Sequence, residues 1–102
     1  MLNIMRPKAF SYGKMTAFDL KTELVATFAE AKHLLDPQTV ESLSDMACAI
    51  RDSIRFLIPG VRWSDISEKH DCDVDVLSAS AVREQIEKLR DSIFSAHSAI
   101  VN

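Results

Sequence analysis

Residues 36–59 read DPQTVESLSDMACAIRDSIRFLIP and predict the helix around which the fold is organised. Asp36 is a typical N-cap, and Pro37 suits the first helical turn, where its missing N–H leaves no hydrogen bond unmade. On a helical wheel the charged residues after the cap fall within an arc of roughly 120°. The rest of the circumference carries apolar, small or hydroxyl side chains. We therefore expect this helix to pack on two sides and to be the most buried element.

Two uncharged seams run along this predicted helix, one on each side. The front seam has the alternating three- and four-residue spacing of a helical bundle. It consists of Val40, Leu43, Ala47, Ile50, Ile54 and Leu57. The back seam carries smaller residues, which would let another helix approach closely. It consists of Ser42, Met46, Ala49, Ser53 and Phe56.

Helical patterns also precede and follow this stretch. Thr16 is a good N-cap and Asp19 stands in the first turn of a helix predicted to run from Thr16 to Leu35. Almost nothing joins it to the next helix, so the two should form an antiparallel hairpin. A third helix is predicted from Ser78 to Ile100. The sequence thus predicts an all-α fold, a helix hairpin plus a third long helix in a three- to four-helix bundle. One domain spans 16–102 after an N-terminal arm, 1–15.

Composition and charge restrict the function classes. The chain has 102 residues, a net charge of −3 and no apolar run of the length needed to span a membrane. Without a signal-peptide core or a spaced cysteine framework, we expect a reducing, cytoplasmic location. An acidic body argues against general nucleic-acid binding. The basic arm at 6–14, where cationic and aromatic residues alternate, leaves nucleic-acid contact as an alternative to a packing arm.

The longest predicted connection, residues 60–76, carries an acidic tract. We expect a single helical turn within 64–70, with Trp63 anchoring the loop to the hairpin. Three aspartates of the tract match the first ligand positions of a calcium-binding EF-hand loop, but Val76 and Val82 occupy positions that need Gly and Glu. We therefore favour a solvated loop over a metal site. The alternative metal site would use His70, Asp71, Asp73 and Asp75.

Arg90-Asp91, followed by His97, forms a further candidate site. This spacing resembles the Arg-x(4–6)-His motif of HEPN-type helical ribonucleases, which are all-α and usually dimeric. The resemblance implies a pair that meets across the dimer, with His97 as general base and Arg90 stabilising the phosphate. The alternative is a salt-bridging arginine and a half-buried histidine near a helix C-terminus.

Several apolar or small residues lie outside the core-facing side of the predicted helices, and their positions indicate an interface. Large exposed apolar patches are rare on monomers, and two-fold dimers are the commonest oligomers. We therefore predict a homodimer, with coverage by the N-terminal arm as the alternative. The expected function is a small non-enzymatic helical module that binds a partner protein and needs no cofactor. The predicted interface consists of Phe18, Val25, Met46, Ala49, Ser53, Phe56 and Phe94.

Overall fold

The computed structural model describes residues 15–101, with Val101 described by its backbone alone. Within these residues, three helices pack together: α1 (Ala17–Leu34), α2 (Pro37–Leu57) and α3 (Val76–Val101). A two-stranded antiparallel ribbon joins β1 (Met15–Thr16) to β2 (Asp73–Val74). The predicted helical architecture is confirmed, and the ribbon is an addition that the sequence did not reveal. Among the described residues, no helix is long and apolar enough to cross a membrane.

The start of α1 is held by its own capping residues and by the loop before α3. The Thr16 hydroxyl accepts a hydrogen bond from the Asp19 N–H at 3.1 Å, and the Asp19 carboxylate accepts one from the Thr16 N–H at 3.3 Å. These two bonds form a capping box, which satisfies backbone donors that a helix start leaves free. The Ala17 N–H donates to the Cys72 carbonyl at 2.9 Å. The ribbon and this bond tie the beginning of α1 to the segment that leads into α3.

Helices α1 and α2 form the antiparallel hairpin that the sequence predicts. Asp36 caps α2, since its carboxylate accepts hydrogen bonds from the Thr39 hydroxyl at 2.6 Å and from the Thr39 N–H at 3.3 Å. The bond from the hydroxyl, followed by the bond from the backbone, lowers the pKa of Asp36 below its ordinary value of 3.8. Pro37 occupies the first turn. The start of α2 therefore follows from local sequence signals.

The prediction that α2 is the most buried helix is wrong. It fully buries only Ile50 and Ile54, and the rest of its front seam is half-buried. Each helix turns one face to the common core, and no described element covers the back seam of α2. Helices α1 and α3 supply most of the fully buried apolar residues. These are Ala17, Leu20, Leu24 and Ala31 on α1, and Ala79, Val82, Ile86, Leu89 and Ile93 on α3.

Helix α3 begins two residues before the predicted start at Ser78. The Asp75 carboxylate accepts hydrogen bonds from the Ser78 N–H at 3.0 Å and from its hydroxyl at 3.3 Å. The Asp75 carbonyl also accepts the Ala79 N–H at 2.8 Å, as an N-cap carbonyl does. Asp75 followed three residues later by Ser78 is the local signal that places this helix start.

The connection between α2 and α3 is anchored on α1. Gly60 follows the end of α2 and has a φ of 87°, a left-handed conformation that favours glycine. A single 3-10 turn follows at Trp63–Asp65, slightly earlier than the predicted turn. Lys21 Nζ donates to the carbonyls of Trp63 at 2.8 Å and Ile66 at 2.9 Å, and lies 5.2 Å from the centroid of the Trp63 ring. Since Ile66 is buried and Trp63 packs against the core, the expected anchoring role of Trp63 is confirmed.

Candidate functional site

Each pair of helices leaves a groove at the surface. The α1–α2 groove includes Leu24, Val25, Phe28, Lys32, Cys48 and Arg51. The α2–α3 groove includes Ser53, Phe56, Leu57, Ser78, Ala81 and Gln85. The α1–α3 groove includes Thr27, Glu30, Leu34, Arg90, Phe94 and His97. Because the three helices pack around one core, the grooves open on three different sides of the molecule.

The α1–α3 groove holds both members of the Arg–His pair. Arg90 and His97 lie about two turns apart on one face of α3 and line a space of about 370 Å³. Arg90 Nη2 donates to the Thr27 hydroxyl at 3.1 Å. His97 Nδ1 is buried and meets no hydrogen-bond partner among the described residues. The fold thus brings the pair into one groove on a single chain.

The surroundings of this pair mix charge with apolar surface. Glu30 adds a carboxylate to the lining, and Phe94 stands beside it with 74% of its surface exposed. Within residues 15–101, Arg90 forms no ion pair, so the salt bridge expected as the alternative is replaced by the bond to Thr27. A guanidinium has five N–H donors, so the groove retains donors for an anionic group.

A second site candidate is the α2–α3 groove, which is nearly free of charge. Phe56 projects beside it from the back seam and is 83% exposed. Leu77, one turn before the groove residue Ala81, is 81% exposed. The only charged residue in this lining is Asp52, and the space measures about 450 Å³. Exposed apolar groups beside a lining of small residues are typical of a protein-binding surface.

The residues of the predicted interface do not share one groove. Phe18 packs against the core, Val25 lines the α1–α2 groove with 51% of its surface exposed, and Phe94 lines the α1–α3 groove. The interface as a whole remains a prediction, and its members divide among different sides of the molecule. The others lie along the back seam of α2: Met46, Ala49, Ser53 and Phe56.

The acidic tract of the long loop serves helix starts. Asp71 accepts a hydrogen bond from the Phe18 N–H at 2.9 Å, and Asp75 caps α3. Asp73 lies in β2, and His70 is exposed. Among residues 15–101, no three His, Cys, Asp or Glu side chains are grouped to hold a metal ion. The basic arm at 6–14, the alternative nucleic-acid contact, lies outside the described residues.

Thr27 is a residue of the α1–α3 groove that was not predicted from the sequence. Thr27 is 5% exposed and accepts the hydrogen bond of Arg90. The sequence does indicate its position, because Thr27 occupies a core-facing place in the three- and four-residue spacing of the apolar stripe of α1. The stripe consists of Leu20, Leu24, Thr27 and Ala31. A polar side chain on an apolar stripe is buried at a cost unless it finds a partner, so its position predicts a hydrogen bond.

Comparison of the chain with models of known protein families, with curated proteins and with solved structures finds no match.

Proposed function

We propose that this chain is a non-enzymatic helical protein-binding module that forms a two-fold homodimer through the α2–α3 groove. The observation that supports the proposal is the 83% exposure of Phe56 beside that groove. A phenylalanine side chain that stays in water lacks about 2 kcal/mol of the stabilisation that full burial would give. A partner surface recovers that free energy.

The partner in this proposal is a second copy of the chain, because the same surface carries both a protruding side chain, Phe56, and a groove that could accept it. Phe56 projects, while Ser53, Ser78 and Ala81 are small and leave room between the helices. A two-fold axis makes the same patch contact itself, so each Phe56 would enter the groove of the other copy. Asp52 adds the only lining charge, which keeps the cost of desolvation low. Dimerisation leaves the other two grooves accessible to a partner protein.

The test compares Phe56→Asp with Phe94→Asp by solution mass over a range of micromolar concentrations. Both substitutions place a carboxylate at a strongly exposed phenylalanine, but they lie beside different grooves. We expect a wild-type dimer, and loss of about 2 kcal/mol or more of association free energy for Phe56→Asp, roughly a thirtyfold rise in Kd. Phe94→Asp should remain dimeric. A monomeric wild type, or dissociation by Phe94→Asp alone, would contradict the proposal.

The second candidate is metal-independent cleavage of RNA in the α1–α3 groove. Its support is the meeting of Arg90 and His97 in one groove. In this candidate function His97 takes the proton of a ribose 2′-hydroxyl, and the 2′-oxygen attacks phosphorus. The 5′-oxygen leaves with a proton from solvent, giving a 2′,3′-cyclic phosphate. Arg90 stabilises the charge that develops on the phosphate.

The corresponding test measures cleavage of single-stranded RNA in a chelator. If the candidate function holds, His97→Gln lowers the rate by about a hundredfold or more, the usual contribution of a general base. Lys88→Gln, a change at an exposed lysine of α3 outside this lining, should retain the rate. Equal rates for wild type and His97→Gln, or no cyclic-phosphate product, would eliminate this candidate.

A further inference from the structure

The α1–α2 groove combines an apolar floor with positive charge. It encloses about 310 Å³ between the two helices of the hairpin. Leu24 and Ala47 form its deeper part, while Val25 and Phe28 add apolar walls. This volume is near the lower limit of small-molecule sites, which span about 300–1,000 Å³. The groove therefore fits a small ligand with an apolar body.

The charged groups of this lining are both cations, Lys32 on α1 and Arg51 on α2. Within residues 15–101, Lys32 forms no ion pair, and its Nζ lies 5.4 Å from the centroid of the Phe28 ring. Arg51 Nε lies 3.9 Å from Asp52, an exposed acid outside this groove. Such a long and exposed contact neutralises little of the arginine charge. Among the described residues, the lining thus carries two positive charges and no negative one, on a chain whose net charge is −3.

The two cations stand near opposite ends of the groove. Lys32 lies two residues before the end of α1 at Leu34 and so stands at the end of the groove nearest the helix connection. Arg51 lies on α2 seven residues beyond Ser44, the first lining residue of that helix, and therefore roughly 10 Å further from the connection. A neighbouring groove shares Phe28, Lys32 and Ser44 but also contains Glu41. That carboxylate would repel an anion, so the favourable site is the part of the groove on the Arg51 side of Lys32.

We propose that the α1–α2 groove is a binding site for a small amphipathic anion, whose apolar chain lies on Leu24 and Phe28 and whose carboxylate or phosphate head pairs with Lys32 or Arg51. Hydrophobic burial supplies the affinity, and the cations supply the selection for negative charge. The site does not use Phe56 and is independent of the proposed dimer.

The test uses decanoate as the probe and decylammonium as the charge control, both below the concentrations at which they form micelles. Cys48 lines the groove and is exposed, while Cys72 is half-buried in the distant loop. Decanoate should slow the alkylation of Cys48 by iodoacetamide, resolved by peptide mass mapping, and leave Cys72 unchanged. Decyl phosphate in place of decanoate shows whether a phosphate head is preferred to a carboxylate.

A matched pair of variants at Ala29 tests the role of charge. Ala29 is exposed and lines the groove, and both Glu and Gln are good helix formers. We expect Ala29→Glu to weaken decanoate binding, measured by titration calorimetry, about tenfold relative to Ala29→Gln. Lys32→Gln and Arg51→Gln should each weaken it about threefold, and Lys88→Gln should not.

Equal protection of Cys48 by decylammonium, or equal affinity of the two Ala29 variants, would overturn the proposal, since either result means non-selective apolar adsorption. Absence of protection by both anions would overturn it as well. Phe56→Asp should keep decanoate affinity, so a failure of the dimer proposal can be told apart from a failure of this one.

Discussion

Single aspartates organise the helix starts of this protein. Asp36 caps α2, Asp75 caps α3, and Asp71 accepts the Phe18 N–H in the first turn of α1. A carboxylate at this position pairs with free backbone donors and with the positive end of the helix dipole. The acidic tract that resembles the beginning of a cation-binding loop is therefore explained by backbone hydrogen bonding.

The cap at Asp36 should make stability depend on acid pH. Because its pKa is lowered from 3.8 in the fold, the charged form is stabilised by folding. That contribution is present above the ordinary pKa and is lost as pH falls through the lowered value. We expect Asp36→Asn to have a lower melting temperature than wild type at pH 7 and a smaller difference below pH 3.8.

The control for this prediction is Asp45→Asn, a change at an exposed acid in the middle of α2. Melting followed by circular dichroism from pH 7 downward should show no comparable convergence for this variant. If the difference in melting temperature between wild type and Asp36→Asn stays constant with pH, the charge of the cap contributes nothing to stability.

At the scale of elements, the long connection between α2 and α3 is ordered by one side chain of another helix. Lys21 bonds two carbonyls of that loop and lies on its tryptophan ring. The loop's own apolar residues predict that it folds inward, because Ile66 and Trp63 are hydrophobic. The loop sequence alone does not show that α1 supplies the donor, since Lys21 lies far from it along the chain.

Replacing Lys21 by methionine should loosen this connection. The change keeps an unbranched apolar side chain in place of the lysine stem but leaves the carbonyls of Trp63 and Ile66 without their charged donor. We expect a loss of about 1–3 kcal/mol in the free energy of unfolding. The amide protons of Asp65 and Ile66, which bond within the 3-10 turn, should exchange faster with solvent.

Lys88→Met is the matched control, because Lys88 is an exposed lysine of α3. It should leave amide exchange in residues 60–75 unchanged. If the amide protons of residues 60–75 exchange at the same rate in both variants, Lys21 has no specific role in holding the loop.

For the whole molecule, the important result is the separation of the exposed apolar residues. Val25, Phe56 and Phe94 lie beside three different grooves. A single interface built from all of them would need contacts on three sides. The proposals therefore assign each groove its own test: self-association for Phe56, RNA cleavage for His97, and an amphipathic anion for Lys32 and Arg51.

The sequence by itself determined the helices, because their signals are local. Thr16, Asp19 and Asp36 cap helices within a few residues, and the three- and four-residue apolar spacing identifies one face of each helix. The pairing of α1 with α2 follows from their short connection. Each of these features depends on neighbours that are close along the chain.

Only the tertiary structure decided which helix faces are covered and which residues meet. Arg90 reaches Thr27, Lys32 shares a groove with Arg51, and most of the back seam of α2 stays exposed. These relations depend on the rotation of each helix about its axis and on its packing against two others. Packing energy is summed over the whole core, so the periodicity of one helix cannot specify the neighbour that each part of its surface will face.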